Sequence, residues 1–202
     1  MAQQLIISIG REYGSGGHEI AERLAERFEL HFYDKNLLKE IALEKNINAD
    51  KLEKYDEIPR SVSRKVRGFS SSPEENTDNM QFEYLRKMAE NGKSFVIVGR
   101  CSETVLRDYS CMISIFILAD LPCRIDRIAS LQGISREKAE ILINRKNKKR
   151  KDYHNYYCLQ KWGYSQNYDL SINSSCLGIE KTTDILSDYI QARINHGQNY
   201  HK

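Results

Sequence analysis

Short apolar runs recur along the chain, and stretches with helical periodicity separate them. The runs that predict buried strands are "LIISI" (5–9), "HFYD" (31–34), "SFVIVG" (94–99), "MISIFILA" (112–119) and "YDLSIN" (168–173). Apolar spacing of three and four residues predicts helices over 18–29, 35–45, 79–90, 101–108, 121–131, 135–157 and 178–195. Strands that alternate with helices are typical of a parallel sheet covered on both faces, so the pattern predicts an α/β fold.

Residues 46–78 depart from this alternation, because their apolar periodicity is weak. The stretch contains Pro59, Pro73 and the serines at 70–72, which are typical of turns and loops. It therefore predicts an insertion that is partly helical and mobile around "GFSSSPEEN" (68–76).

A glycine-rich loop, "GREYGSGGHE" (10–19), follows the first strand and begins the first helix. Its glycines allow successive N–H groups to point into one concavity, and the helix N-terminus adds partial positive charge. The backbone alone therefore predicts an anion site; a glycine-rich turn without a ligand is the alternative. The predicted phosphate-binding residues are Gly14, Ser15, Gly16, Gly17 and His18.

The loop lacks the lysine of a Walker A motif, which reads G-x-x-x-x-G-K-[ST]. Gly17 takes the lysine position and His18 the hydroxyl position. Since the lysine normally neutralises charge on the β- and γ-phosphates, another cation must do so for efficient transfer. Arg11, inside the loop, is the candidate, and a solvated surface role is its equal alternative. His18 either replaces the hydroxyl near a metal or only starts the helix.

Composition narrows the class of protein. The chain has 202 residues, 29% of them charged, and a net charge of +3, which does not favour general attraction to polyanions. Its five cysteines form no C-x-x-C pair, which argues against a disulfide scaffold or zinc knuckle and fits a reducing cytoplasm. The apolar start is too short for a signal peptide, and no window approaches the roughly 20 apolar residues of a membrane span. A cytoplasmic protein is expected.

Four segments together resemble the cytidylate-kinase-like family, a nucleoside monophosphate kinase branch of the P-loop NTPases. They are "ISIGREYGSGGHEIAERLAERFELHFYDKNLL", "FVIVGRC", "RIDRIASLQGIS" and "NYDLSINSSCLGIEK", and the resemblance covers about residues 4–190. It implies one three-layer α/β/α P-loop domain over 1–202, with a helical acceptor-binding insertion near 46–78 and a lid near 133–157.

The resemblance implies transfer of the γ-phosphoryl group of ATP, with Mg²⁺, to a pyrimidine monophosphate such as CMP. This branch of the family generally departs from the Walker lysine, as this chain does. A protein that binds or senses nucleotides without transferring phosphate therefore stays as the alternative. The sequence leaves the oligomeric state open between a monomer and a homodimer.

Phosphoryl transfer relies on convergent cations. Arg100, at the end of "VGR", is placed to clamp the acceptor phosphate, and a surface ion pair is its alternative. Arg124 and Arg127 begin the 121–131 helix, where one of them touches ATP or both form an exposed helix face.

The densest charge, "RKNKKRK" (145–151), predicts lid cations that close over the phosphates, with Arg145 and Arg150 first and Lys149 next. A solvated helix face is one alternative. Nucleic-acid binding, with base stacking on the tyrosines at 153, 156 and 157, is the other; the net charge of only +3 argues against it.

The sequence gives weaker signals for the residues that bind the acceptor. Asp34, after the second strand, holds the acceptor or caps the next helix, and both roles can coexist. Arg64, with Arg60 and Arg67, contacts the acceptor or lies on a plain exposed helix. Asp169 and Asn173 are expected to shape the nucleotide end of the cleft.

Overall fold

A parallel sheet forms the centre of the fold. The computed structural model describes residues 4–34, 36–46, 48 and 73–196. The strands of this part of the chain are β1 (Ile6–Arg11), β2 (His31–Tyr33), β3 (Phe95–Val98), β4 (Met112–Leu118) and β5 (Leu170–Asn173). Their order is β2-β3-β1-β4-β5, and every neighbouring pair is parallel, as the alternating pattern predicts.

Helices follow each strand. They are α1 (Gly17–Arg27), α2 (Leu37–Glu44), α3 (Pro73–Glu90), α4 (Ser102–Val105), α5 (Leu121–Gln132), α6 (Arg136–Tyr157) and α7 (Gly178–Asn195), with a short 3₁₀ turn at Ser165–Asn167. The start of α3 corrects the prediction, because this helix begins at Pro73 rather than at residue 79. Proline suits the first helical turn, where its missing N–H has no partner to lose. The rest of the predicted insertion, 49–72, lies outside the described residues.

The two faces of the sheet bury different helices, which gives the three layers. Along β1, Ile6 packs in one core cluster with Leu85 of α3. Its neighbour Ile7 points the other way and packs with Leu24 of α1 and Leu186 of α7. Side chains alternate along a strand, so a strand covered on both faces needs apolar residues at successive positions. That requirement explains the continuous apolar runs in the sequence.

The sheet order creates a crevice at the carboxyl ends of β1 and β3. Ile9 of β1 pairs with Val98 of β3, and the N–H of Gly99 donates to the carbonyl of Ile9 at 3.0 Å. The loops that leave these two strands therefore lie side by side. In the strand order, β1 has β3 on one side and β4 on the other, so the order reverses here. Open α/β sheets bind ligands at such a switch point, outside the carboxyl ends of the strands.

Helix α6, which covers most of the predicted lid, crosses over the glycine loop. Its residues Ala139 and Ile143 pack against Ile125 and Ile128 of α5. Further along α6, Asn147 Oδ1 accepts a 2.7 Å hydrogen bond from the backbone N–H of Tyr13 in the loop. Among the described residues, no helix combines the length and apolar character that crossing a membrane requires.

Candidate functional site

A cleft of about 550 Å³ lies at the carboxyl ends of β1 and β3, under α6. Residues of the glycine loop, the start of α1 and helices α5 and α6 line it. The cationic side chains among these lining residues are Arg11, Arg100, Arg127, Lys146, Lys149 and Arg150. Positive charge from separate elements that converges on one cleft suits a phosphorylated ligand.

The glycine loop has the backbone shape of an anion site. Gly14 and Gly16 adopt left-handed conformations, with φ of 86° and 78°, and Gly17 begins α1. Ser15 is fully buried: its hydroxyl donates to the carbonyl of Glu12 at 2.9 Å. Ser15 thus holds the loop in shape, whereas Gly14, Gly16, Gly17 and His18 line the cleft. The concavity at the start of α1 remains available to a phosphate.

The side chain of Arg11 lies against two glycines, Gly17 and Gly99. A Cβ atom on Gly17 would lie 2.6 Å from Arg11 Cβ, and one on Gly99 would lie 2.3 Å from Arg11 Nη1. Both distances are shorter than real Cβ contacts. At Gly17 the close atom is the Cβ of Arg11, which cannot rotate away, and at Gly99 the positive φ of 78° also favours glycine. A lysine at position 17 is incompatible with this placement of Arg11. The absence of the Walker lysine and the presence of Arg11 are therefore linked, because Arg11 occupies space that a side chain at position 17 would need.

Arg100 is held in the cleft by a strained turn. Gly99, Arg100 and Cys101 have consecutive positive φ values of 78°, 62° and 52°. The left-handed conformation costs a non-glycine residue roughly 1–2 kcal/mol, so the surrounding structure must enforce it. Ser102 helps, because its hydroxyl donates to the carbonyl of Gly99 at 2.8 Å. Arg100 is only 4% exposed, which rules out a solvated surface ion pair.

One face of α6 supplies the lid cations. Arg150 Nη1 donates to the carbonyl of Arg11 at 3.2 Å, and its guanidinium lies 5.4 Å from the centre of the Tyr13 ring. Lys146 and Lys149 also line the cleft, whereas Arg145 is exposed and lies outside the cleft lining. Of the two predicted lid arginines, the structure brings only Arg150 to the site.

The tyrosines after the charged run are not arranged for base stacking. The hydroxyl of the buried Tyr153 donates to Asp78 Oδ1 at 3.0 Å, and the hydroxyl of Tyr157 donates to the other oxygen of the same carboxylate. Tyr156 packs edge-on against Tyr157. These rings tie α6 to α3, so the structure contradicts stacking of bases on Tyr153.

The two arginines of α5 have different roles. Arg127 lines the cleft, and a Cβ atom on Gly16 would lie 2.9 Å from its Nη1. Arg124 is largely buried, with its Nε 3.6 Å from the carboxylate of Glu12. Arg127 is therefore the cleft-facing member of the pair, and Arg124 supports the loop through Glu12.

Asp34 and His18 meet at the acceptor side of the cleft. His18 is about half exposed (51%), and its Nε2 lies 3.8 Å from Asp34 Oδ2 and 3.4 Å from Glu22 Oε1. Asp34 Oδ1 accepts a 2.9 Å hydrogen bond from the N–H of Asn36, which precedes α2. The cap position of α2 is Asn36, so Asp34, the predicted cap, lies two residues before it and holds the N–H of Asn36 instead. Arg64, the other predicted acceptor-binding residue, lies outside the described residues.

Comparison with known proteins relates this chain to a family of kinases. The sequence profile of the cytidylate kinase-like family matches residues 6–176. The chain belongs to the cytidylate kinase-like family. It is 29% identical over 174 residues to a cytidylate kinase of Pyrococcus horikoshii, covering 85% of this chain and 81% of the relative. It is 26% identical over 194 residues to a cytidylate kinase of Pyrococcus furiosus, covering 95% of this chain and 89% of the relative.

Solved structures confirm the kinase fold of this cytidylate kinase-like chain. An uncharacterized protein from Eubacterium ventriosum superimposes with a TM-score of 0.76 at 36% identity, over 94% of this chain and all of that chain. A shikimate kinase from Bacteroides thetaiotaomicron superimposes with a TM-score of 0.55 at 13% identity, over 93% of this chain and 98% of that chain. The second likeness concerns the fold alone, and it agrees with the predicted three-layer P-loop architecture.

Sequence reasoning missed Lys146 in this cytidylate kinase-like site. Lys146 and Arg150 are four residues apart, so they share one face of a helix, and that spacing is visible in the sequence. Conversely, Asp169 and Asn173 do not line the cleft. Asp169 Oδ2 accepts a 2.8 Å hydrogen bond from Ser114 N, and Asn173 Nδ2 donates to Asp120 at 2.9 Å. Both therefore secure β5 rather than shape the nucleotide end.

Proposed function

We propose that the protein transfers the γ-phosphoryl group of ATP to a pyrimidine nucleoside monophosphate such as CMP. The observation that carries the proposal is the convergence of arginines from the end of β1, the turn after β3, helix α5 and the lid on one glycine loop at the sheet's switch point. The family and its relatives that are named cytidylate kinase support the same reaction.

Each group then has a distinct task. The N–H groups of the glycine loop hold the β-phosphate, and Arg11 supplies the charge of the absent lysine. Arg100 clamps the acceptor phosphate, and Arg150 with its neighbouring lysines covers the transferred group. Phosphoryl transfer needs positioning and charge stabilisation more than covalent chemistry, so these roles account for catalysis.

The donor set accommodates Mg²⁺ on the acceptor side. Mg²⁺ prefers oxygen ligands, and the carboxylate of Asp34 lines the cleft. His18 offers a nitrogen, which suits softer metals better. When bound, Mg²⁺ neutralises charge on the transferring phosphates. We therefore assign its protein ligand to Asp34, which would orient the acceptor as well and whose Oδ1 is fixed by the N–H of Asn36.

A second candidate function is nucleotide binding without transfer. Gly17 in place of the Walker lysine favours it, since the lysine is the usual charge on the phosphates. The placement of Arg11 against Gly17 favours transfer instead.

A coupled assay with ATP, Mg²⁺ and CMP, dCMP, UMP, AMP or GMP distinguishes the two. We expect turnover, fastest with a pyrimidine monophosphate. Thermal unfolding with the same nucleotides gives an independent readout, because a ligand that binds the folded state stabilises it. Stabilisation without turnover would establish the binding function, and neither response would reject both proposals.

The lid assignment predicts unequal effects for two arginines of one helix. We expect Arg150→Ala to lower kcat/KM by roughly 10- to 100-fold, because it removes a positioned charge and a contact between lid and loop. Arg145→Ala should change it less than about threefold, since an exposed charge is screened by solvent. Lys148→Ala, which removes an exposed charge paired with Asp152, is the matched control. Equal losses in the Arg145 and Arg150 variants would contradict the observed orientation of α6.

A further inference from the structure

A buried polar cluster lies behind the cleft, and the proposed reaction uses none of its side chains. His154 Nε2 and Glu103 Oε1 are 2.7 Å apart, and both residues are buried. Cys158 directly follows α6, and its N–H donates to the carbonyl of His154, one turn earlier, at 2.8 Å. The carboxylate, the imidazole nitrogen and the Cys158 sulfur all lie within 4.8 Å of one another. An imidazole close to a sulfur favours the thiolate form, and here the Glu103 carboxylate contacts the same ring.

A second thiol completes the cluster. Cys101, immediately before α4, shares a buried core cluster with Cys158, Phe82 and Tyr153. The remaining cysteines are placed differently, since Cys111 is buried in another core cluster and Cys123 and Cys176 are exposed. Two neighbouring thiols, one of them beside a histidine, supply an attacking and a resolving sulfur for disulfide formation.

The electrostatics of the cluster separate the roles of the two thiols. The hydrogen bond from Cys101, with a further contribution from His154, lowers the pKa of Cys158 to about 6 despite its burial. Burial opposes the charged form of His154, but hydrogen bonds with Cys158 and Glu103 raise its pKa to about 10. The hydrogen bond to Cys158 and burial raise the pKa of Cys101 well above its usual range. These contacts favour the thiolate form at Cys158 and the thiol form at Cys101.

A small cavity adjoins Cys101, and Cys158 is not among the residues that line it. Its volume is about 30 Å³, and Cys101, Glu103 and His154 contribute to its wall. A cavity of this size holds water or another very small molecule. Arg100 and Arg150 line the same cavity, and their positive charges oppose a divalent cation there.

We propose that Cys158 and Cys101 form a reversible disulfide with hydrogen peroxide as the oxidant. The Cys158 thiolate attacks one peroxide oxygen, the O–O bond breaks, and the departing hydroxide takes a proton from the His154 imidazolium to leave as water. The Cys101 sulfur then attacks Cys158 sulfenic acid, the S–O bond breaks, and the thiol proton leaves with the hydroxide as a second water. The two sulfurs lose two electrons, and peroxide gains them.

The disulfide connects two parts of the cleft. Cys101 directly follows Arg100, and Cys158 ends the helix that carries Arg150. The bond therefore fixes the end of α6 to the turn that holds Arg100. If lid motion accompanies each turnover, oxidation slows it, and we expect a drop in kcat of about tenfold that dithiothreitol reverses. This consequence rests on the proposed kinase function, whereas formation of the disulfide does not.

The test is a peptide map of the full chain after peroxide treatment, under non-reducing conditions. We expect a Cys101–Cys158 cross-linked peptide, and free thiols in the denatured protein that fall from the five of the sequence to three. Cys101→Ser should leave Cys158 as a sulfenic acid that dimedone traps. Cys158→Ser should give neither product, and Cys176→Ser, at an exposed cysteine, should behave as the wild type.

Other outcomes would overturn the proposal. Oxidation confined to the exposed cysteines would show that peroxide does not reach the pair. Stoichiometric zinc in the purified protein, with thiols that resist peroxide until a chelator removes the metal, would make the cluster a metal site instead. Because the peptide map needs no nucleotide, a silent kinase assay with an intact cross-link would reject the proposed function and leave the disulfide standing.

Discussion

Replacing Arg11 with methionine is expected to lower the rate of phosphoryl transfer by about 100- to 1,000-fold, the usual loss when one charge-stabilising donor is removed. Methionine keeps the Cβ and Cγ atoms that lie against Gly17, whereas the guanidinium that lies against Gly99 is lost together with the charge. Single-turnover measurements with saturating ATP isolate this step from binding. A variant that keeps wild-type rates would show that the charge on the β- and γ-phosphates comes from another residue.

The complementary variant adds the Walker lysine. In the register G-x-x-x-x-G-K that ends at Gly17, the first glycine falls on position 11. Gly17→Lys alone should weaken ATP binding and lower thermal stability, because its Cβ meets Arg11 Cβ at 2.6 Å. The double change Arg11→Gly with Gly17→Lys removes that clash, and we expect it to exceed the rate of Arg11→Met by at least about tenfold.

Glu26→Lys is the matched control for the added lysine, since this exposed position on α1 lies outside the cleft lining. Titration calorimetry with ATP compares the affinities of the three variants. Tighter ATP binding by Gly17→Lys than by the wild type would mean that Arg11 leaves the lysine's volume open.

The second large effect is expected from substitution of Arg100. Arg100→Met is expected to reduce kcat/KM for the acceptor by about 1,000-fold, because a bidentate charge-assisted contact to phosphate is lost in a buried setting. Arg100→Lys keeps the charge but not the planar fork, so it should recover only part of the loss. The KM for ATP should change little in either variant. Initial rates with the acceptor varied at saturating ATP, and the reverse, provide the comparison.

Folding must be separated from catalysis in this test, since Arg100 is buried in a left-handed turn. Thermal unfolding of each variant shows whether the turn survives, and the Lys variant offers a conservative second measurement. Arg107→Met, on the exposed segment after α4, is the matched control. An Arg100→Met protein that folds normally and loses affinity for ATP alone would place this arginine on the donor instead.

The sheet and its helices were predictable because their signals are local. "LIISI" and "MISIFILA" are continuous apolar runs, and such runs form strands that are buried on both faces. The position of the glycine loop between β1 and α1 follows from the same strand–loop–helix pattern, and the family resemblance agrees with it. The boundary of α3 was missed because Pro73 was interpreted as a loop residue, although proline is also common in a first helical turn.

Residue type and order along the chain determined the parallel α/β fold, the glycine loop and the cation-rich character of the site. Only the tertiary structure decided which cations meet. Arg145 and Arg150 are equally basic in the sequence, but the rotation of α6 brings Arg150 to the loop and leaves Arg145 in solvent. Likewise, Gly17 and Gly99 are 82 positions apart in the numbering, and strand pairing places both against Arg11. Contacts of this kind depend on helix rotation and strand register, which no local pattern specifies.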